Sequence, residues 1–246
     1  EAALSGSLEA YSPTPMADVP SAPKGAPVHE WALLLSDWHV GQMTRIEETA
    51  GIYHQNIATA RKQVGLIWKT LSRLHGIYSS GHSIKTIHNL VLGDLVEGDD
   101  MRPSQHRKVE EVVTVQLVQS FDLLAWLLRQ ELLLFERVEV DLVGGNHDRT
   151  SRKAGDAGLG ELDYIDTLAW LAGAFLERVF KDEPRIRVRN WESFYGYKEV
   201  LGLKVAFEHG STMKWGMGYG GVPYYGISAL GPRYEALLGG SIDLVC

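Results

Sequence analysis

The chain holds a single cysteine, Cys246, so no intrachain disulfide can form and nothing in it demands an oxidising compartment. Long apolar runs are missing too. A bilayer span needs roughly 18 such residues, and Arg129, Glu131 and Glu136 break the longest candidate. No basic region followed by an apolar stretch opens the chain, which argues against an intact secretory signal. These absences together lead to the expectation of a cytoplasmic protein with no membrane partner. Neither GxxxxGK[ST] nor a strand-to-helix GxGxxG occurs, which argues against a P-loop or a dinucleotide fold, and no GxSxG elbow is present.

Basic charge is in deficit. Across 246 residues, 24 Lys plus Arg face 31 Asp plus Glu, a net charge of −7. That balance argues against a surface that coats nucleic acid and leaves room only for a local basic patch. Proline is scarce outside one segment: Pro13, Pro15, Pro20, Pro23 and Pro27 are five of the nine in the chain. Residues 1–28 therefore read as a flexible Pro/Ala/Ser-rich linker, unable to bury enough apolar surface to offset its ordering entropy. Residues 29–246 read as one domain. The start at Glu1 without Met, and the stop directly after the strand-like run SIDLVC at 241–246, lead to the expectation of a fragment or processed product.

What is present can build a large core, since 45% of residues are hydrophobic and 22% charged. The run WALLL at 31–35 reads as a strand buried on both faces. Over 56–78, Ile57, Ala60, Val64, Trp68, Leu71 and Leu74 share one helical face. A strand follows at 87–92, a long helix at 109–136, a strand at 137–143, and a helix at 161–180 with Asp163 and Asp166 in its first turns. Short strand-forming runs at 185–190, 194–200 and 203–208, parted by turn residues such as Gly202, predict hairpins. The fold class is α/β, with two sheets packed together and helices outside.

Three of these strands run into Asp37-Trp38-His39, Gly93-Asp94 and Gly145-Asn146-His147-Asp148, and a fourth into His209-Gly210. In α/β sheets the carboxyl ends of neighbouring strands line one crevice, so residues far apart in sequence can meet there. Carboxylate, imidazole and amide oxygen suit Zn, Mn or Fe rather than Ca. A dinuclear site needs a bridging carboxylate, and Asp94 is the natural one. Taken singly, Asp37-x-His39 also reads as a strand-end turn and His209 as a core histidine; their joint occurrence with Asp94 and Asn146 favours the metal reading.

In this order the residues resemble the calcineurin-like metallophosphoesterases, whose motifs run DxH, GDxx(D/E), GNHD, a later His, and then GHxH. Here Asp37-Trp38-His39, Gly93-Asp94-Leu95-Val96-Glu97, Gly145-Asn146-His147-Asp148 and His209 match, over residues 33–210. No histidine follows His209, so the final GHxH is absent. The resemblance implies an αββα fold: a two-sheet sandwich flanked by helices. It implies that Asp37, His39 and Asp94 hold one divalent cation while Asp94, Asn146 and His209 hold another, Mn first, with Zn, Fe or Ni as alternatives. It further implies that His147 donates a proton to the leaving group with its ring oriented by Asp148, and that Glu97 stands behind the ligands, holding one of them or a loop. The implied activity is phosphate-ester hydrolysis by metal-hydroxide attack on phosphorus. A phosphodiesterase or nuclease acting on DNA or RNA comes first, ahead of a small-molecule phosphomonoesterase or a non-catalytic protein-binding scaffold.

Two basic clusters flank these motifs: Arg149, Arg152 and Lys153 after GNHD, and Arg102, His106, Arg107 and Lys108 after the GD turn. They read either as solvated loop charge or as phosphate contacts, with Arg149 and Arg152 the substrate-binding candidates. Lys214, Trp215 and the Gly/Tyr stretch 216–226 offer base-stacking aromatics or ordinary loop packing. Oligomeric state is not legible.

Overall fold

The computed structural model describes residues 22–99, 104–150, 164–210 and 224–246. Four strands, β1 (Val28–Leu35), β2 (Ser83–Val91), β3 (Arg137–Leu142) and β4 (Ile186–Asn190), form a parallel sheet in sequence order. Parallel neighbours need long crossovers, and helices α1 (Ile57–Tyr78), α2 (Val113–Glu131) and α3 (Leu168–Val179) lie in the three connections. Two of the helices start on a capping side chain: Asn56 accepts from the amide of Thr59, and Thr167 from that of Trp170.

The helices cover one face of this sheet. Ile87, Val91, Val138, Val140 and Leu142 are buried there against Val64, Leu124, Leu128, Ala172 and Leu176. On the opposite face Leu90, Leu92, Val143 and Trp191 pack on Val205 and Phe207 of a second sheet. That sheet is mixed: β5 (Tyr195–Val200) and β6 (Leu203–Glu208) form a hairpin, and β7 (Leu244–Val245) runs parallel to β6. Helix α4 (Tyr224–Leu238) follows β6 and buries Tyr234, which stacks on Tyr195 and donates to Glu208 Oε2 at 2.6 Å. The class is α/β, with a parallel sheet, a separate mixed sheet and helices. No helix among the described residues is long and apolar enough to cross a membrane.

Several boundaries differ from the sequence reading. Strand β1 is an edge strand rather than one buried on both faces: Leu34 is 49% exposed. Leu74 is turned outward, and His75 takes the buried place one position on. Helix α2 stops at Glu131 and a tight turn leads to β3, so 109–136 overran it at both ends. Helix α3 begins only after Thr167, with Asp166 ahead of the cap rather than in the first turn, while Asp163 lies outside the described residues. The run at 185–190 is not part of a hairpin; α3 carries the chain back so that β4 joins the parallel sheet. Arg102, Arg152, Lys153, Lys214 and Trp215 lie outside the described residues, and Tyr224 and Tyr225 open α4.

Candidate metal centre

Three loops meet at the carboxyl edge of the parallel sheet. The amides of His39 and Val40 donate to the carbonyls of Asp94 and Leu95, and those of Asp94 and Gly145 donate to Asp148 Oδ2 at 2.5 and 3.0 Å. Gly93 and Gly145 permit the approach. A Cβ on Gly145 would stand 2.0 Å from Asp94 Oδ1, and Gly93, at φ +83°, would meet the Gly145 amide at 2.2 Å. Asp37, His39 and Asp94 all adopt the left-handed backbone region, at φ 57°, 44° and 52°. Such conformations cost of order 1–3 kcal/mol each in non-glycine residues and gather where function over-determines the backbone.

These constraints turn five side chains toward one another. His39 Nε2 lies 3.6 Å from Asp37 Oδ1 and 3.9 Å from Asp94 Oδ2. His209, just past β6, brings Nε2 to 3.2 Å from Asp94 Oδ2 and 3.0 Å from Asn146 Oδ1. Each imidazole is held from behind: His39 Nδ1 is 2.8 Å from Glu97 Oε2, and His209 Nδ1 is 2.7 Å from the carbonyl of Leu92. At His209 the acceptor behind Nδ1 leaves Nε2 toward the centre, the arrangement found behind metal-binding histidines. Glu97 thus lies beside His39, one of the ligands that the resemblance implies.

The ligand atoms of Asp37, Asp94 and His209 lie within 4.8 Å of one another, as do those of His39, Asp94 and His147. Asp94 is common to both groups, as a bridge requires. Mixed carboxylate and imidazole donors of this kind fit Mn, Zn or Fe. The grouping differs from the implied one in two respects: Asp37 falls with His209 rather than with His39, and His147 is close enough to stand with His39, their rings perpendicular at 4.6 Å.

Electrostatics point the same way. Hydrogen bonding to His39 draws the Asp37 carboxyl down to about 2, against the opposing effect of partial burial. Burial by itself depresses the charged form of His39, but Asp37, Glu97 and Asp94 outweigh it and lift the imidazole to about 10. Burial likewise opposes the charges on His209 and Asp94, yet their pairing raises the first and lowers the second. The carboxylates of the centre thus favour the charged form of both half-buried histidines, a potential equally suited to cations.

Asp148 requires a correction. Its carboxylate accepts from the amides of Asp94, Gly145 and, at 3.3 Å, Val96; it makes no hydrogen bond or ion pair with the His147 ring. Complete burial, with Asp94 nearby, lifts this carboxyl to about 6, against the pull of the three amides. It ties two loops together. The ring of His147 is held instead by the carbonyl of Glu97, 2.8 Å from Nδ1. Arg149 is half-buried, pairs its backbone with Thr167, and among the described residues makes no hydrogen bond or ion pair with the centre. Sequence reasoning also passed over Gln105, whose amide nitrogen reaches Glu97 O at 2.7 Å and Glu97 Oε1 at 2.9 Å.

No family model matches the chain, and no curated protein matches it either.

Proposed function

We propose that the protein is a metal-dependent phosphodiesterase of the calcineurin-like type, with nucleic-acid strands as its first substrate class. The observation that carries this reading is the pair of carboxylate–imidazole groups sharing Asp94, with His209 Nδ1 against the Leu92 carbonyl and His39 Nδ1 beside Glu97. The layering of three helices, a parallel sheet, a mixed sheet and α4 is compatible with the αββα arrangement of that family. Asp37, His39, Asp94, Asn146 and His209 would hold two divalent cations, Mn first. Bound there, such cations polarise phosphoryl oxygens and acidify water at neutral pH.

The chain's own residues do the rest. His147 keeps a proton at Nδ1 against the carbonyl of Glu97, so a proton passed to a departing alkoxide comes from Nε2. Glu97 holds both His39 and His147 in place, and Asp148 fixes the backbone that carries Asp94. His106, Arg107 and Lys108 are exposed on the turn that also carries Gln105, which puts positive charge near the centre for a phosphate backbone.

The test is hydrolysis of bis-p-nitrophenyl phosphate with Mn, set against p-nitrophenyl phosphate. The diester is expected to be cleaved faster, with Asp94→Ala inactive. His147→Ala is expected to cost about 10²–10⁴ in turnover, the usual worth of a positioned general acid, with metal content unchanged. Loss of metal in His147→Ala would make it a ligand instead. No diester hydrolysis by the metal-loaded chain would overturn the reading. Affinity for single strands should fall steeply with salt, and Arg107→Glu should flatten that slope; salt-independent binding would remove nucleic acid as the substrate class.

A further inference from the structure

We propose that Gln105 is a positioning residue that sets both histidines of the centre through Glu97, an inference that rests on the phosphoesterase reading above. Gln105 is 5% exposed and Glu97 7% exposed, so neither takes its hydrogen bonds from bulk water. The Gln105 amide nitrogen donates to Glu97 twice, to the carbonyl at 2.7 Å and to Oε1 at 2.9 Å. Two acceptors on one amide atom establish it as the nitrogen.

Glu97 is thereby held at both its carbonyl and its carboxylate. Its carbonyl receives Gln105 and His147 Nδ1; its carboxylate receives Gln105 at Oε1 and faces His39 Nδ1 at Oε2. The Gln105 nitrogen also lies 3.3 Å from His147 Nδ1. That contact is an approach of two donors converging on one carbonyl: an unprotonated Nδ1 could not rest 2.8 Å from the Glu97 oxygen without lone-pair repulsion. Gln105 thereby holds the carbonyl that accepts from His147 Nδ1, and the carboxylate whose other oxygen lies 2.8 Å from His39 Nδ1. One side chain on the turn Gln105–Arg107 sets a proposed ligand and a proposed proton donor together.

The experiment uses the metal-free full chain, labelled with ¹⁵N at histidine. Wild type is expected to show Nδ1–H protons on both His39 and His147, slow to exchange; absence of a protected Nδ1–H at either overturns the proposal without any variant. In Gln105→Met, unbranched and without a donor, and in Gln105→Glu, both signals should broaden or be lost while helical circular dichroism is kept. Unchanged ring signals in a folded variant overturn it. With Mn present, kcat for bis-p-nitrophenyl phosphate should fall about tenfold or more, as for other residues behind metal ligands, with KM little changed; an equal rise in KM with kcat intact contradicts the role. Absence of hydrolysis in wild type would count against the phosphoesterase reading alone, because the ring signals still decide what Gln105 does.

Discussion

Glu131, the last residue of α2, is wholly buried, with Asn89 Nδ2 donating to Oε2 at 2.7 Å and no partner for Oε1. Desolvation lifts its carboxyl from 4.5 to about 8, only partly offset by Asn89. The sign follows from which state keeps the proton. Above about 4.5 the unfolded chain ionises while the folded chain stays neutral, so this group's contribution to stability is whole at low pH and is lost as pH rises toward 8. The slope reaches roughly 1.4 kcal/mol per pH unit. Glu131→Gln keeps the acceptor for Asn89 and removes the titration, so the variant's melting temperature should gain on wild type steadily from pH 5 to pH 8. Parallel curves would show that Glu131 is charged or hydrated in the fold. At this scale the sequence revealed chemistry better than packing. Asp37, His39, Asp94, Asn146 and His209 were legible because such residues at successive strand ends have few other uses. Glu131 and Gln105 were not, because a lone Glu in a helix or Gln in a loop ordinarily faces water. Asp148 was assigned to His147 through the family resemblance, whereas three backbone amides claim its oxygens.

Among the elements, the decisive ones for function are the loops after β1, β2 and β3, held within contact distance at Gly93 and Gly145. Gly145→Ala would drive a methyl into Asp94, whose other neighbours leave it nowhere to go: Asp148 holds its amide, and Oδ1 accepts from the amide of His147 at 2.8 Å. Expected are a loss of about 1–3 kcal/mol, as for other overpacked sites, and a loss of metal affinity of about 10–100-fold. Gly65→Ala, within α1 and with open space around it, is the control; it should raise stability by about 0.5–1 kcal/mol in the same thermal unfolding measurement. Equal effects at the two positions would mean that the loops are not closely apposed. The strands and helices themselves were largely legible from apolar periodicity. The assignment of β4 was not: a short run with strand propensity carries no mark of whether it pairs with its sequence neighbour or returns to a sheet through a helix.

In the whole molecule the centre lies on the seam between the two sheets. Four of the five proposed ligands come from loops of the parallel sheet, and His209 comes from the end of β6 in the other. The seam is pinned by polar contacts that no motif announces: Lys198 of β5 pairs with Asp141 of β3, whose Oδ1 accepts from Trp191 Nε1 at 3.0 Å. Buried pairs of this kind add little net stability; this one joins the same two sheets that bring His209 to 3.2 Å from Asp94. That two sheets stack was foreseeable from a run of crossovers followed by a hairpin; the register between them was not, since it depends on side chains distant in sequence. The most direct measurement is the number of divalent ions bound per chain, by elemental analysis after loading with Mn, for wild type and for Asp94→Ala. A centre bridged by Asp94 requires close to two ions per chain in wild type and nearly none in the variant. Absence of ions in both, or equal numbers in both, would contradict it.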